Sequence, residues 1–316
     1  MQHQPIKAAD LSGDVTGSIN KSFDKRVYRK HCPPCPVAGK SAGAGNNPGM
    51  MAGPAAADIP PEAAPAHSHE TAHAHADAGR REGAQSVLTV RALSGLSGDM
   101  MLSGLAALAG LNNAELEELA RELKLPALEN CLRLEPRSVN HIAGVGCLIS
   151  LPHEHAHRSL KDILAILEGS AMPGEARDLS ARTFHLLAEA EAAVHGKNKD
   201  DVTFHEVGAL DSILDICLVS RIFTRLKPAR FICSPLPLAD GAIFCAHGCI
   251  PSPAPAVLRM LEGVPVRGFQ GEGETVTPTA LALLKAMDAQ FGPWPQTLIE
   301  KTVISYGGKV FPNAPN

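Results

Sequence analysis

From residue 86 onward, strand-length and helix-length apolar runs alternate almost to the end of the chain. "SVLTVRAL" reads as a buried strand. "MMLSGLAALAGL" and "NAELEELARELKL" follow as helices, the second with apolar residues at 116, 119, 120 and 123. "CLRLEPRSVN" and "HIAGVGCLISLP" read as a strand pair. "SLKDILAIL" and "ARDLSARTFHLLAEAEAAVHG" read as helices, the latter stopped by Gly196. "VTFHEV", "ARFICSPLPL" and a last segment, "TLIEKTVISYGG", are expected strands. "ALDSILDICLVSRIFTRL" and "PAPAVLRMLEGV" are expected helices. In "TPTALALLKAMDAQFG", Thr277 is the expected N-cap and Pro278 the first helical residue. Such mixing predicts an α/β or α+β fold, a mixed sheet with helices packed on it, over residues 86–316.

Residues 1–85 have a different character. "AGKSAGAGNNPGMMAGPAAADIPPEAAPAH" has no apolar period and cannot bury enough surface to offset chain entropy, so a disordered tail is expected. "HCPPCP" spaces Cys32 and Cys35 as C-x-x-C, but zinc wants a second such pair and the sequence has none. His67, His69, His73 and His75 suit either a labile metal ion or a solvated linker. The whole chain is 45% hydrophobic and 20% charged, enough for a packed core. Its net charge of −4 argues against nucleic-acid binding by bulk electrostatics. No apolar run reaches the roughly 18 residues of a membrane span, and no secretory h-region follows Met1. A cytoplasmic protein with reduced thiols and no membrane partner is expected.

Four motifs carry chemistry. In "SGLSGDM", Ser94, Gly95, Ser97 and Gly98 form a small-residue turn between a strand and a helix start, which suits a phosphate. Asp99 opposes that anion, and would serve as a helix cap or a cation ligand. In "HEHAHR", His153, His155 and His157 alternate, so an extended segment would aim all three imidazoles one way, as a metal site wants. In "TFHEVGALDSILD", His205 and Glu206 point to opposite strand faces, so at most one faces a shared site. A helix from Gly208 places Asp211 in its first turn, where the helix dipole explains it. Asp215, one turn on, flanks the buried stripe and lacks that explanation. In "CAHGC", His247 is a candidate ligand, with Cys245 and Cys249 beside it.

"SGLSGDM", "HEHAHRSLKDI", "FHEVGALDSILDI", "CSPLPL", "AHGCIPSPAPA" and "TVTPTALALL", in this order, resemble the LarC family of nickel-insertion proteins over roughly residues 87–316. The resemblance implies CTP-dependent insertion of nickel into pyridinium-3,5-bisthiocarboxylic acid mononucleotide. The product would be the nickel-pincer cofactor of lactate racemase-type enzymes, whose apo-enzyme is the implied recipient. Nickel, held by two sulfurs and one ring carbon, displaces a proton from that carbon. For that reaction the candidates are the residues read above: His153, His155, His157, His205, Asp211 and His247 for nickel, and Asp99, Glu206 and Asp215 for proton transfer. Ser94, Gly95, Ser97 and Gly98 would hold the substrate phosphate.

Three departures stand out. Arg91, Ala92 and Leu93 replace an acidic–Cys–Phe triplet, and Ala280 replaces a glycine. The second region of the family, which binds CTP and a divalent metal, has no counterpart before "FPNAPN", so a separate C-terminal half is an expected partner. A homo-oligomer is compatible with the sequence. A non-catalytic nickel carrier and a metal-dependent hydrolase are the rival readings.

Overall fold

The computed structural model describes residues 85–151, 158–204, 207–245 and 247–311. The expected disordered tail lies outside the described residues, Gln85 excepted. The mixture of helices and strands is as expected. Among the described residues, however, the strands are divided among five small sheets.

The largest sheet is parallel and three-stranded. In it β6 (Arg230–Cys233) lies between β1 (Val87–Val90) and β11 (Gln290–Phe291). β2 (Leu132–Val139) and β3 (Ile142–Ile149) form a full antiparallel hairpin. β4 (Arg158–Ser159) pairs antiparallel with β5 (Thr203–Phe204), and β7 (Leu236–Leu238) pairs parallel with β10 (Val266–Gly268). β8 (Ala242–Cys245) and β9 (Gly248–Pro251) form a short hairpin at the "CAHGC" motif.

The helices are α1 (Gly98–Ala109), α2 (Asn113–Arg121), α3 (Leu160–Gly169), α4 (Gly174–His195), α5 (Leu210–Leu226), α6 (Pro255–Met260) and α7 (Pro278–Ala286). Helix starts follow local chemistry. Asn112 and Glu115 close a capping box on α2, Ser159 and Asp162 do so on α3, and Thr277 caps α7 with Pro278 following. Gly196 ends α4 in the left-handed conformation.

α5 is the hub. It packs against α1, α2, α4 and α7, and Leu210, Ile213, Leu214, Ile216, Cys217, Leu218, Val219 and Ile222 are all buried. Each fully buried aliphatic side chain contributes about 1.5–3 kcal/mol of transfer free energy. Over residues 213–220 every position of α5 is buried, so a position that the helical period places beside the stripe ends up inside. That position is Asp215, only 9% exposed.

"TLIEKTVISYGG" is not a strand. It runs extended beside β3 and touches it at one bridge, Val145 with Ser305, through Val145 N–H to Ile304 O (2.8 Å) and Tyr306 N–H to Val145 O (2.8 Å). Leu298 and Ile299 in the same segment are exposed, so its apolar run is not a core signal. No helix among the described residues is long and apolar enough to cross a membrane.

Candidate functional site

The "SGLSGDM" turn connects β1 to α1 and is stitched to the segment leading into α7. Leu96 N–H donates to Thr275 O (2.8 Å), and Thr277 N–H donates to Leu96 O (3.1 Å). The glycines serve this close approach. A Cβ on Gly95 would lie 2.4 Å from Thr275 O. One on Gly98 would lie 2.5 Å from Asp215 Oδ2 and 3.0 Å from Thr279 Cγ2. The first turn of α1 is therefore seated directly on the Asp215 carboxylate. Ser97, not Asp99, occupies the N-cap position, and its hydroxyl donates to Asp99 Oδ1 instead of capping the backbone. Asp99 sits in the first turn, where the helix dipole favours a carboxylate.

Asp215 Oδ1 is buried without a hydrogen-bond partner, and so is the Ser94 hydroxyl. Burial, then the charges of Asp99 and Asp211, push the Asp215 carboxyl well above the usual carboxylate range. Asp211 is exposed and its Oδ1 accepts from the Ser212 N–H (2.7 Å), so the dipole account suffices for it.

A residue that motif reasoning missed joins this site. α1 packs on β3, and Cys147 of β3 senses the same carboxylates. Burial, followed by the charges of Asp215 and Asp99, pushes its thiol up to about 12, so it stays protonated at neutral pH. A single cysteine in an apolar strand carries no sequence signal. Gly307 closes the far side: a Cβ there would meet Met100 Sδ at 3.0 Å and Ser97 Oγ at 3.3 Å. Arg91 does not alter the charge balance by facing this cluster. It donates to Gly292 O (3.1 Å) and lies over the Trp294 ring at 4.9 Å. Ala280 is buried in the first turn of α7, its N–H donating to Thr277 Oγ1 at 3.3 Å.

The structure therefore brings Asp99, Ser97, Gly98 and Asp215 together, with Asp211 and Cys147 in electrostatic reach. His247 lies elsewhere on the fold's framework, at the β8–β9 turn, beside His195 and Cys245. His153, His155, His157, His205 and Glu206 lie outside the described residues. Their described flanks are pinned together: Arg158 pairs with Phe204 in the β4–β5 ladder and donates to Gly208 O at 2.8 Å. Gly208 makes this approach roomy: a Cβ there would lie 3.0 Å from Phe204 Cβ and 3.2 Å from Arg158 N, a tight fit.

The family model described as "nickel insertion protein" matches residues 88–316. The chain belongs to the nickel insertion protein family. A pyridinium-3,5-bisthiocarboxylic acid mononucleotide nickel insertion protein of Desulfitobacterium hafniense is 38% identical over 218 residues, covering 69% of this chain and 53% of that one. A protein of the same name from Staphylococcus epidermidis is 35% identical over 224 residues, covering 71% and 55%. The chain thus spans a little over half the length of the curated relatives it matches. No solved structure matches it. The family membership bears out the resemblance drawn from the six motifs.

Proposed function

We propose that this chain supplies the nickel-handling and proton-accepting part of nickel insertion into pyridinium-3,5-bisthiocarboxylic acid mononucleotide. Both relatives described above carry that substrate in their names. The observation that carries the reading is Asp215, a buried carboxylate whose Oδ2 lies against the start of α1 and whose Oδ1 has no hydrogen-bond partner. Such a group is costly to keep unless a ligand or a proton completes it.

Nickel is the substrate here. Forming the nickel–carbon bond breaks a ring C–H bond, whose electron pair goes to nickel and whose proton needs a base. Asp215 takes that proton, and Asp99 and Asp211 raise its basicity. Glu206 is assigned to the same proton transfer. His153, His155, His157, His205, His247 and Asp211 are assigned to nickel, since imidazole and carboxylate suit that ion. Ser94, Gly95, Ser97 and Gly98 are assigned to the mononucleotide phosphate through backbone N–H groups, since protein atoms fill the space beside both glycines. Support comes from α1, whose first turn has no side-chain cap on its N–H groups. CTP with its divalent metal is assigned to a separate C-terminal half and not to residues of this chain. A lactate racemase-type apo-enzyme is the recipient, and the reaction is placed in the cytoplasm.

The pH profile of nickel insertion tests the role of Asp215. Its carboxyl is held above the usual range, so its basic form grows as the pH rises through that elevated value. The rate is expected to rise over the same window. An Asp215→Asn chain that keeps the native profile would remove Asp215 from the mechanism. A second expectation concerns the loop: replacing His153, His155 and His157 by Ala lowers nickel stoichiometry without changing thermal unfolding. Unchanged nickel binding by calorimetry would make that loop a solvated polar segment.

A further inference from the structure

The last turn of α4 and the β8–β9 hairpin bring four metal-competent side chains into a chain of contacts. Glu191 and His195 are one helical turn apart, with Glu191 Oε2 3.4 Å from His195 Nε2. The His195 ring lies against the His247 ring, centroids 5.1 Å apart. His247 Nδ1 is 3.9 Å from Cys245 Sγ. Donors that share one metal at about 2.0–2.3 Å stand roughly 3–4 Å apart, so the Cys245–His247 pair already has ligand spacing.

We propose that Cys245, His247 and His195 form a soft-donor metal site, with Glu191 orienting the His195 ring, and that it holds nickel on its way to insertion. The choice of nickel rests on the nickel-insertion reading above; the site itself does not. Thiolate with imidazole is a donor set for nickel or zinc and a poor one for magnesium or calcium. A carboxylate on one imidazole nitrogen fixes the ring and strengthens the other nitrogen as a ligand. Among the described residues no group of three such side chains is already closed around one point. Closure is a matter of side-chain rotation at the end of α4 and the β8–β9 hairpin. Cys245 and His195 are only partly buried, Gly248 takes a positive φ of 85°, and Phe244 is 84% exposed. Sequence spacing alone set His247 between Cys245 and Cys249. The fold instead adds Glu191 and His195, some fifty residues earlier in the chain.

The test is a titration of the full chain with nickel(II) alone, without CTP or mononucleotide. Cys32→Ser and Cys35→Ser are present throughout to remove the tail thiols. Thiolate-to-nickel charge-transfer absorption reports the site. Cys245→Ser is expected to abolish that absorption together with one equivalent of nickel. Glu191→Gln, which removes the orienting carboxylate, is expected to weaken the same equivalent by about 10- to 100-fold, and His195→Ala, which removes a ligand, by at least as much. If His195→Ala does not fold, His247→Ala reads the same equivalent from the hairpin side. An unchanged titration in Cys245→Ser or in the histidine variant overturns the site. Asp215→Asn separates the two proposals: it should keep this equivalent while losing product. Loss of the equivalent in Cys245→Ser, with product formation intact in Asp215→Asn, would leave the metal site standing and remove the proposed base.

Discussion

Asp215→Asn is expected to leave the chain folded and to lower formation of the nickel-containing mononucleotide by about 10²–10⁴-fold, the usual contribution of a positioned base. The substitution keeps the size of the side chain and removes only its ability to ionise. Its effect on stability has a definite sign. Asp215 is held above the range it has in the unfolded chain, first by burial and then by Asp99 and Asp211. A group raised in this way favours folding fully below its unfolded pKa, about 3.9. That contribution is lost as the pH rises through the folded value. At neutral pH the Asn variant should therefore be at least as stable as the native chain, and the advantage should shrink toward acid. Thermal unfolding at two pH values reads this directly. A variant that is inactive because it is unfolded would show the opposite sign.

Gly98→Ala is expected to lose about 1–3 kcal/mol of stability, the usual range for overpacking a filled site. The new Cβ would fall 2.5 Å from Asp215 Oδ2 and 3.0 Å from Thr279 Cγ2. Relief requires turning the buried Asp215 carboxylate out of its seat or shifting α1, α5 or α7, and all three helices are held by the core. In a domain of this size the loss corresponds to several degrees in Tm. Gly174→Ala is the control, because it stands at the start of α4 with nothing within 4 Å of the added carbon. It should be neutral or mildly stabilising. Equal melting of the two variants would mean that α1 does not sit on Asp215.

Most of the fold was legible because its helices carry local signals. Thr277–Pro278 and Gly196 lie where the sequence places them, and α2 and α3 start at capping boxes within the segments expected to be helical. The segment after Trp294 was misread as a strand because an apolar run looks the same whether it is buried in a sheet or laid along one edge of β3. Asp211 and Asp215 were told apart by helical position, but the depth of Asp215 was not legible. It follows from how many helices surround α5, which is a tertiary fact. Cys147 and His195 were invisible for a related reason. Each reaches its neighbours only when β3 meets α1, or when the end of α4 meets the β8–β9 hairpin. Gly95 and Gly98 read in sequence as openings for a ligand, yet protein atoms fill the space beside both.

Product mass spectrometry tests the central claim most directly. The chain is combined with a C-terminal half of the family, nickel(II), CTP and the mononucleotide deuterated at the ring carbon that bonds nickel. The account predicts a nickel-containing product that has lost the deuteron, formed by the native chain and at least about 100-fold more slowly by Asp215→Asn. A native chain that yields no nickel-containing product, or an Asp215→Asn chain that yields it at the native rate, would contradict it.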